Sequence, residues 1–337
     1  MKHLRRIIIA ILILLFIFGG LFYFRNQVYY SHGLRKENLI FEIKKGEGNT
    51  EISSNLSEAG LISGKYFFYY YIRSRALASK IMPGVYELSG KMTIPEIAHI
   101  ITDQEEKFIK ITFPEGFSAR RMAERLNENG LPGDEFLVLA QKPGEMKKRY
   151  SYLTGEKVTT LEGFLFPDTY YFKKDTEAKD IIGRLLDTFD EKLTEKMRQD
   201  IIAEKKSIYD IVIMASIAER EVQASEDMKI VTGIFWKRLA AGQKLQSDAT
   251  LSYFLNDKTD QHSGADLKID SPYNSYLYAG LPPTPIGNPG LNALGAAINP
   301  EESLYYYFLT VTIDGAKKVI YSKTFDEHIA NRSKYGI

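Results

Sequence analysis

Residues 213 to 222 read IMASIAEREV, an apolar run that closes on two glutamates, Glu219 and Glu221. If the segment from Tyr209 to Val222 is helical, Glu221 falls four residues after Ile217, three after Ala218 and seven after Met214, and so continues their apolar stripe. A carboxyl on such a stripe loses hydration, and that raises its pKa. A raised pKa is what a general acid needs at neutral pH. Glu219 is rotated about 200° from Glu221 along an ideal helix, over Val212, Ala215 and Ser216. An exposed helix end with Arg220 as counter-ion satisfies the same periodicity. The spacing alone leaves both readings open.

Other chemistries lack their residues. The chain of 337 residues contains no cysteine, which removes disulfides, thiolate metal sites and thiol nucleophiles. Its 5 histidines are scattered, with no His-x-x-x-His pair. No Walker loop, no G-x-G-x-x-G after a strand and no G-x-S-x-G is present. Neither a metal nor a cofactor is therefore expected. Lys and Arg number 44 against 43 Asp and Glu, so no basic excess points to nucleic acid. Tyrosine is abundant, 22 against 1 Trp, which suits a sugar-binding surface and equally a tyrosine-rich core.

Two polar clusters favour the chemical reading of the glutamates. LQSDAT, residues 245 to 250, places Gln246, Ser247 and Asp248 just before a predicted helix start, where an N-cap is the ordinary role. SPYNSYLYAGLPPTPIGNPG, residues 271 to 290, combines tyrosines and asparagines with stiff Pro and Gly turns. A loop that long in a compact domain usually lines a site. Tyr273, Asn274 and Asn288 are its candidate sugar contacts.

Several elements must hold these residues. Ile7 to Phe24 carries no charge and would make a helix of about 27 Å, close to the roughly 30 Å of a bilayer core. It ends in FYFRNQVYY, bulky and aromatic, unlike a signal-peptide cleavage site. Lys2, Arg5 and Arg6 place residues 1–6 in the cytoplasm, leaving everything after the 7–24 span outside. Beyond it, residues 41–63 and 111–133 repeat one frame. From Gly46 and Gly116, Ile52 matches Met122, Leu56 matches Leu126, and Gly60-Leu61 matches Gly130-Leu131. Each copy reads as strand, glycine turn, amphipathic helix and glycine cap. The first copy, IKKGEGNTEISSNL, resembles the opening of LysM modules, which bind N-acetylglucosamine-containing glycans. Further helices are predicted over GKYFFYYYIRSR and from Thr93, and a long amphipathic stretch over about 178 to 204. A charged, turn-rich boundary is expected at Glu145 to Lys157, and a terminal strand pair turning at Asp314-Gly315.

LEGFLFPDTY, MASIAEREV, LQSDATLSY and SPYNSYLYAGLPPTPIGNPG stand in this order behind one anchor. Together they resemble the endolytic murein transglycosylases, the YceG-like family, over nearly the whole chain. The resemblance implies an α+β protein: a membrane helix at 7–24, a LysM-like module at 39–105, a second repeat-like α/β segment at 106–150 and a catalytic domain at 151–337. It implies cleavage of the MurNAc–GlcNAc β-1,4 bond within nascent peptidoglycan strands, leaving a 1,6-anhydroMurNAc end and terminating strand elongation. The family's essential acid maps to Glu221, with Glu219 as support. Here Arg220 stands between the two, and Ala218 fills a position often larger. Gln246, Ser247, Asp248, Tyr273, Asn274, Asn288 and Glu162 are the candidate glycan contacts, although Glu162 could equally hold a loop in place. Peptidoglycan strands are the implied partner, with peptidoglycan synthases or the elongation or division machinery as candidate protein partners. The implied location is the cell inner or plasma membrane, crossed once.

Two alternatives stay open on sequence. A muramidase would hydrolyse the same bond with Asp248 or Glu162 as second carboxylate. A wall-binding scaffold would cleave nothing.

Overall fold

The computed structural model describes residues 2–103, 107–256, 262–313 and 315–336. The chain forms two compact units, Met1–Lys110 with Tyr171–Asp175, and Ile111–Tyr170 with Thr176–Ile337. The architecture is mixed α+β.

In the first unit, α1 spans Lys2–Tyr29, longer than the apolar run because FRNQVY continues the helix. Its last turn belongs to the unit's core, where Val28 is buried with Phe41, Ile52, Leu56, Phe68, Ile72 and Leu88. The core is built by β1 (Asn38–Ile43), α2 (Asn49–Glu58), α3 (Lys65–Ser74), β2 (Gly84–Ser89) and α4 (Ile94–Thr102). β1 pairs antiparallel with β2 from Asn38↔Ser89 to Ile43↔Gly84. β3 (Phe108–Thr112) follows, and the strands of this sheet are ordered β1-β2-β3-β4, with β4 at Thr169–Lys173. The helix expected from Thr93 begins there, closed by a reciprocal capping box with Glu96.

Both copies of the sequence repeat have the expected frame. Gly46 and Gly116 turn with φ of +88° and +75°, and Gly60 and Gly130 end the helices at +72° and +74°. That left-handed region costs an L side chain free energy and glycine none. The matched positions Ile52 and Met122, Leu56 and Leu126, and Leu61 and Leu131 are all buried. The first copy lies in the first unit. The second, with α5 (Ala119–Glu128), is part of the second unit.

The second unit continues with α6 (Gly133–Ala140) and the short α7 (Met146–Arg149). No unit boundary falls at residues 145–157. Tyr150 and Tyr152 are buried there, and their hydroxyls donate to the Gly183 carbonyl at 3.2 Å and the Leu186 carbonyl at 2.9 Å. Those carbonyls belong to α8 (Ala178–Lys192). The long amphipathic stretch over about 178–204 forms two helices, because Leu193 leaves helical geometry and Thr194 caps α9 (Glu195–Ala203). Then come α10 (Ile208–Glu221), α11 (Ser225–Ala240), α12 (Asp248–Leu255) and α13 (Leu291–Ile298). The chain closes with the hairpin β5 (Tyr307–Ile313) and β6 (Ala316–Ser322), then α14 (Phe325–Tyr335). Of the expected hairpin turn, Asp314 lies outside the described residues, and Gly315 has φ +78°.

Helix α10 is the axis of this unit. Its N-cap Ser207 accepts from the Asp210 N–H, and every residue from Ile211 to Ala218 is buried. α11, α12 and α13 pack around it. The helix is therefore enclosed on all sides and not striped, as IVIMASIA, apolar around its whole circumference, dictates.

Candidate active site

The carboxyl groups enter where α10 leaves the core. Glu221 is its last residue and is half-buried. Its carboxylate accepts a hydrogen bond from the Ser247 hydroxyl and, at the start of α12, from the Ala249 N–H. Burial pushes its pKa from an ordinary 4.5 up to about 7, and the charge of Asp248 adds to that. The Ser247 bond, the Arg220 charge and the Ala249 bond oppose the rise. The cause is enclosure by α12 and its loop, rather than the single apolar stripe expected from periodicity.

Ser247 is fixed in turn by a buried set of hydroxyls. The Ser275 hydroxyl accepts from the Ser247 N–H at 2.9 Å and lies 3.0 Å from that of Thr250. Thr250 donates to the Ser247 carbonyl at 2.8 Å. Asp248 begins α12 and accepts from the Tyr276 hydroxyl at 2.8 Å. Gln246 keeps an exposed side chain on a left-handed backbone, φ +54°. A non-glycine residue there costs on the order of 1 kcal/mol, a cost that clusters at functional sites. Arg238, only 7% exposed, ties this loop down by donating to the Leu245 carbonyl at 2.6 Å, and it also donates to the Tyr306 carbonyl at 2.7 Å.

The structure therefore brings Glu221, Ser247, Asp248 and Gln246 together. Tyr273 lies in the neighbouring loop, its hydroxyl 2.7 Å from that of Thr284 and its ring packed on Tyr253 at 5.5 Å. With Pro272, Tyr278, Leu281 and Asp270 it lines a surface cavity of about 390 Å³.

The remaining candidate glycan contacts, Asn274, Asn288 and Glu162, are turned inward, which for Glu162 is the loop-holding role the sequence equally allowed. Asn274 is fully buried. Its amide donates to the carbonyls of Leu267 and Ile269, and its oxygen accepts from the Tyr276 N–H. Asn288 is also fully buried, accepting from the Gly163 and Leu165 N–H groups and donating to the Phe117 carbonyl and to Glu162. Glu162, 4% exposed, accepts from the Ala119 N–H at the start of α5, from Asn288 at 2.9 Å and from the Tyr253 hydroxyl at 3.2 Å. Every polar atom of these three side chains that faces the interior is spent on holding loops. Burial pushes Glu162 up to about 7 against those bonds. The LEGFLFPD segment is thus clasped to α5 and to the 285–290 loop, and Gly163 at φ +90° sits where a Cβ would meet Val212 and Pro285 at 2.6 Å.

Glu219 points elsewhere from Glu221. It accepts from the Gly290 N–H at 2.9 Å, beside Glu115, and burial raises its pKa to about 7. That places it at the start of α13, as a support for the Pro/Gly loop. The residues that sequence reasoning missed are Ser275, Thr250, Tyr276 and Arg238. The first three stood inside noted motifs but carried no distinguishing spacing. Arg238 lies in the last turn of α11, where a cation is ordinary and carries no distinguishing signal.

Comparison with known proteins gives the family of the chain. The YceG-like family matches residues 41–334, and the chain belongs to that family. A Bacillus subtilis (strain 168) protein named endolytic murein transglycosylase is 30% identical, over 89% of this chain and 85% of its own length. A protein of the same name from Streptococcus pneumoniae (strain D39) is 26% identical over 99% of this chain, which spans 66% of that relative. The crystal structure of a putative YceG-like protein from Listeria monocytogenes superposes with a TM-score of 0.63 and 32% identity, over 87% of this chain and 98% of that one.

Proposed function

We propose that this chain is an endolytic murein transglycosylase, held to the membrane by α1, with Glu221 as its acid and base. The observation that carries the proposal is the Glu221 carboxyl, kept near pH 7 by burial while Ser247 and the start of α12 stand ready for its charged form. A group that must give a proton and then take one works best when neither form is strongly preferred. Protonated Glu221 donates to the oxygen of the MurNAc–GlcNAc bond, that bond breaks, and an oxocarbenium-like centre develops. The resulting carboxylate, hydrogen-bonded by Ser247, accepts the proton of the MurNAc C6 hydroxyl as its oxygen closes the 1,6-anhydro ring. No water is consumed and no second carboxylate is required, unlike ordinary glycoside hydrolysis. Gln246, with an exposed side chain, and Tyr273, half-buried in the wall of the surface cavity, are the contacts for the sugars, and Asp248 is held by Tyr276 beside the acid.

The name shared by these relatives supports the substrate, and the first repeat copy supports a LysM-like glycan contact through its strand, glycine turn and helix at 38–58. The helix from His3 to Tyr29, whose most apolar 18 residues have a mean hydropathy of 3.0, supports a single span, and Lys2, Arg5 and Arg6 support a cytoplasmic N-terminus. Mass spectrometry of products from uncrosslinked glycan strands tests the proposal. Anhydro ends at internal cleavage positions are expected. Reducing MurNAc ends without the anhydro ring would assign a muramidase, with Asp248 as the neighbouring second carboxylate. Intact strands would assign a scaffold.

A further inference from the structure

The aromatic helix GKYFFYYYIRSR has no part in the proposed chemistry, and its contacts point to another role. α3 lies beside α1 within the first unit. Phe67 packs against Tyr23 and Phe24, with ring centroids 6.0 and 5.7 Å apart. One turn further on, Tyr71 packs against Tyr29 at 6.3 Å, and Arg75 donates to the Tyr29 hydroxyl at 2.9 Å. The two helices therefore ascend in the same direction, and the first turn of α3 stands level with Phe24, where the apolar run ends. Phe68 and Ile72 are buried in the core of the unit. The opposite face leaves Tyr66 and Tyr70 uncovered, 65% and 57% exposed, with Lys65 next to them. Helical side chains lean toward the helix N-terminus, so both rings tilt toward the level of Tyr23 and Phe24. Tyrosines with an adjacent cation are what the headgroup layer of a bilayer accommodates: the ring enters the apolar boundary and the hydroxyl and ammonium stay hydrated.

We infer that Tyr66 and Tyr70 form a second membrane contact, seated in the headgroup layer of the leaflet from which α1 emerges. The inference rests on α1 being the membrane anchor. Its occupant is the lipid surface, argued from continuity with that span. The consequence is mechanical: α1 is joined to the unit by a packed helix pair and not by a loose tether, so the first unit is held upright at a fixed height above the bilayer.

The absence of native cysteine makes the test direct. Full-length chains carrying Tyr66→Cys, Tyr70→Cys, Ser74→Cys or Phe16→Cys are labelled with an environment-sensitive fluorophore and reconstituted into phosphatidylcholine–phosphatidylglycerol vesicles containing nitroxide lipids. Each tyrosine variant keeps the other tyrosine. Ser74 is about 12 Å further along α3 than Tyr66. The labels at 66 and 70 are expected to be quenched by headgroup nitroxide about twofold or more above the label at 74. Quenching at 66 and 70 no stronger than at 74, with the Phe16 label quenched by acyl-chain nitroxide, overturns the inference while leaving the anchor intact. A Phe16 label that acyl-chain nitroxide does not quench overturns the anchor and this contact together.

Discussion

Replacing Glu221 with glutamine should make the protein more stable at alkaline pH while removing its activity. The folded-state carboxyl titrates near 7, and the unfolded one near its ordinary 4.5. The folded chain therefore holds its proton more tightly, and its stability falls as pH rises from about 4.5 to about 7. The full shift corresponds to roughly 3 kcal/mol. Partial exposure of Glu221 screens part of it, leaving about 2 kcal/mol. Glutamine has nearly the same shape, can accept from the Ala249 N–H and can donate to Ser247, and it has no proton to lose. Thermal unfolding of detergent-solubilised wild type and Glu221→Gln at about pH 8 should show the variant melting roughly 5 °C higher. At about pH 4 the carboxyl is neutral in both states and the two curves should nearly coincide. A variant no more stable at pH 8, or one equally stabilised at both pH values, would refute the claim that burial holds this carboxyl in its neutral form.

Three further substitutions separate the roles of the neighbours. Ser247→Ala removes a bond that favours the charged carboxylate, so the alkaline limb of kcat/KM should move up by about one pH unit while the plateau falls about tenfold; the pH–rate profile reads both. Asn288→Ala leaves the Gly163 and Leu165 N–H groups and Glu162 without their partner, and denaturant unfolding should show a loss of about 3–5 kcal/mol. A fully stable Asn288→Ala protein with raised KM would instead make Asn288 a sugar contact. Gly163→Ala places a methyl against Val212 and Pro285 at a left-handed position and should cost about 3 kcal/mol or more in the same measurement.

Local signals in the sequence were reliable where the physics is local. The glycines at 46, 60, 116 and 130, the Thr93–Glu96 capping box and the α10 segment each announce a backbone conformation through nearest neighbours. The amphipathic stretch over 178–204 did not reveal its break at Leu193–Thr194, because apolar spacing continues across it while Thr194 starts a new helix. The burial of Glu221 was anticipated for an incomplete reason. One stripe was expected to desolvate it, whereas α10 is enclosed on every side and the loop at 245–249 closes over its end. The inward roles of Asn288 and Glu162 could not be decided from sequence, because the two partners lie 126 residues apart in the chain. Nothing in residue type distinguishes an asparagine that binds a sugar from one that binds two backbone N–H groups. Ser275 and Arg238 were illegible for the same reason, since their importance is set by what folds against them.

Glu221→Gln, Glu219→Gln and Glu162→Gln, compared side by side for release of internal fragments from uncrosslinked glycan strands, test the assignment of the acid most directly. Glu221→Gln should lose at least about 100-fold in rate while remaining folded, and the other two should retain activity in proportion to the folded protein they yield. Fragment release by Glu221→Gln within tenfold of wild type, or an equal loss in folded Glu219→Gln, would contradict it.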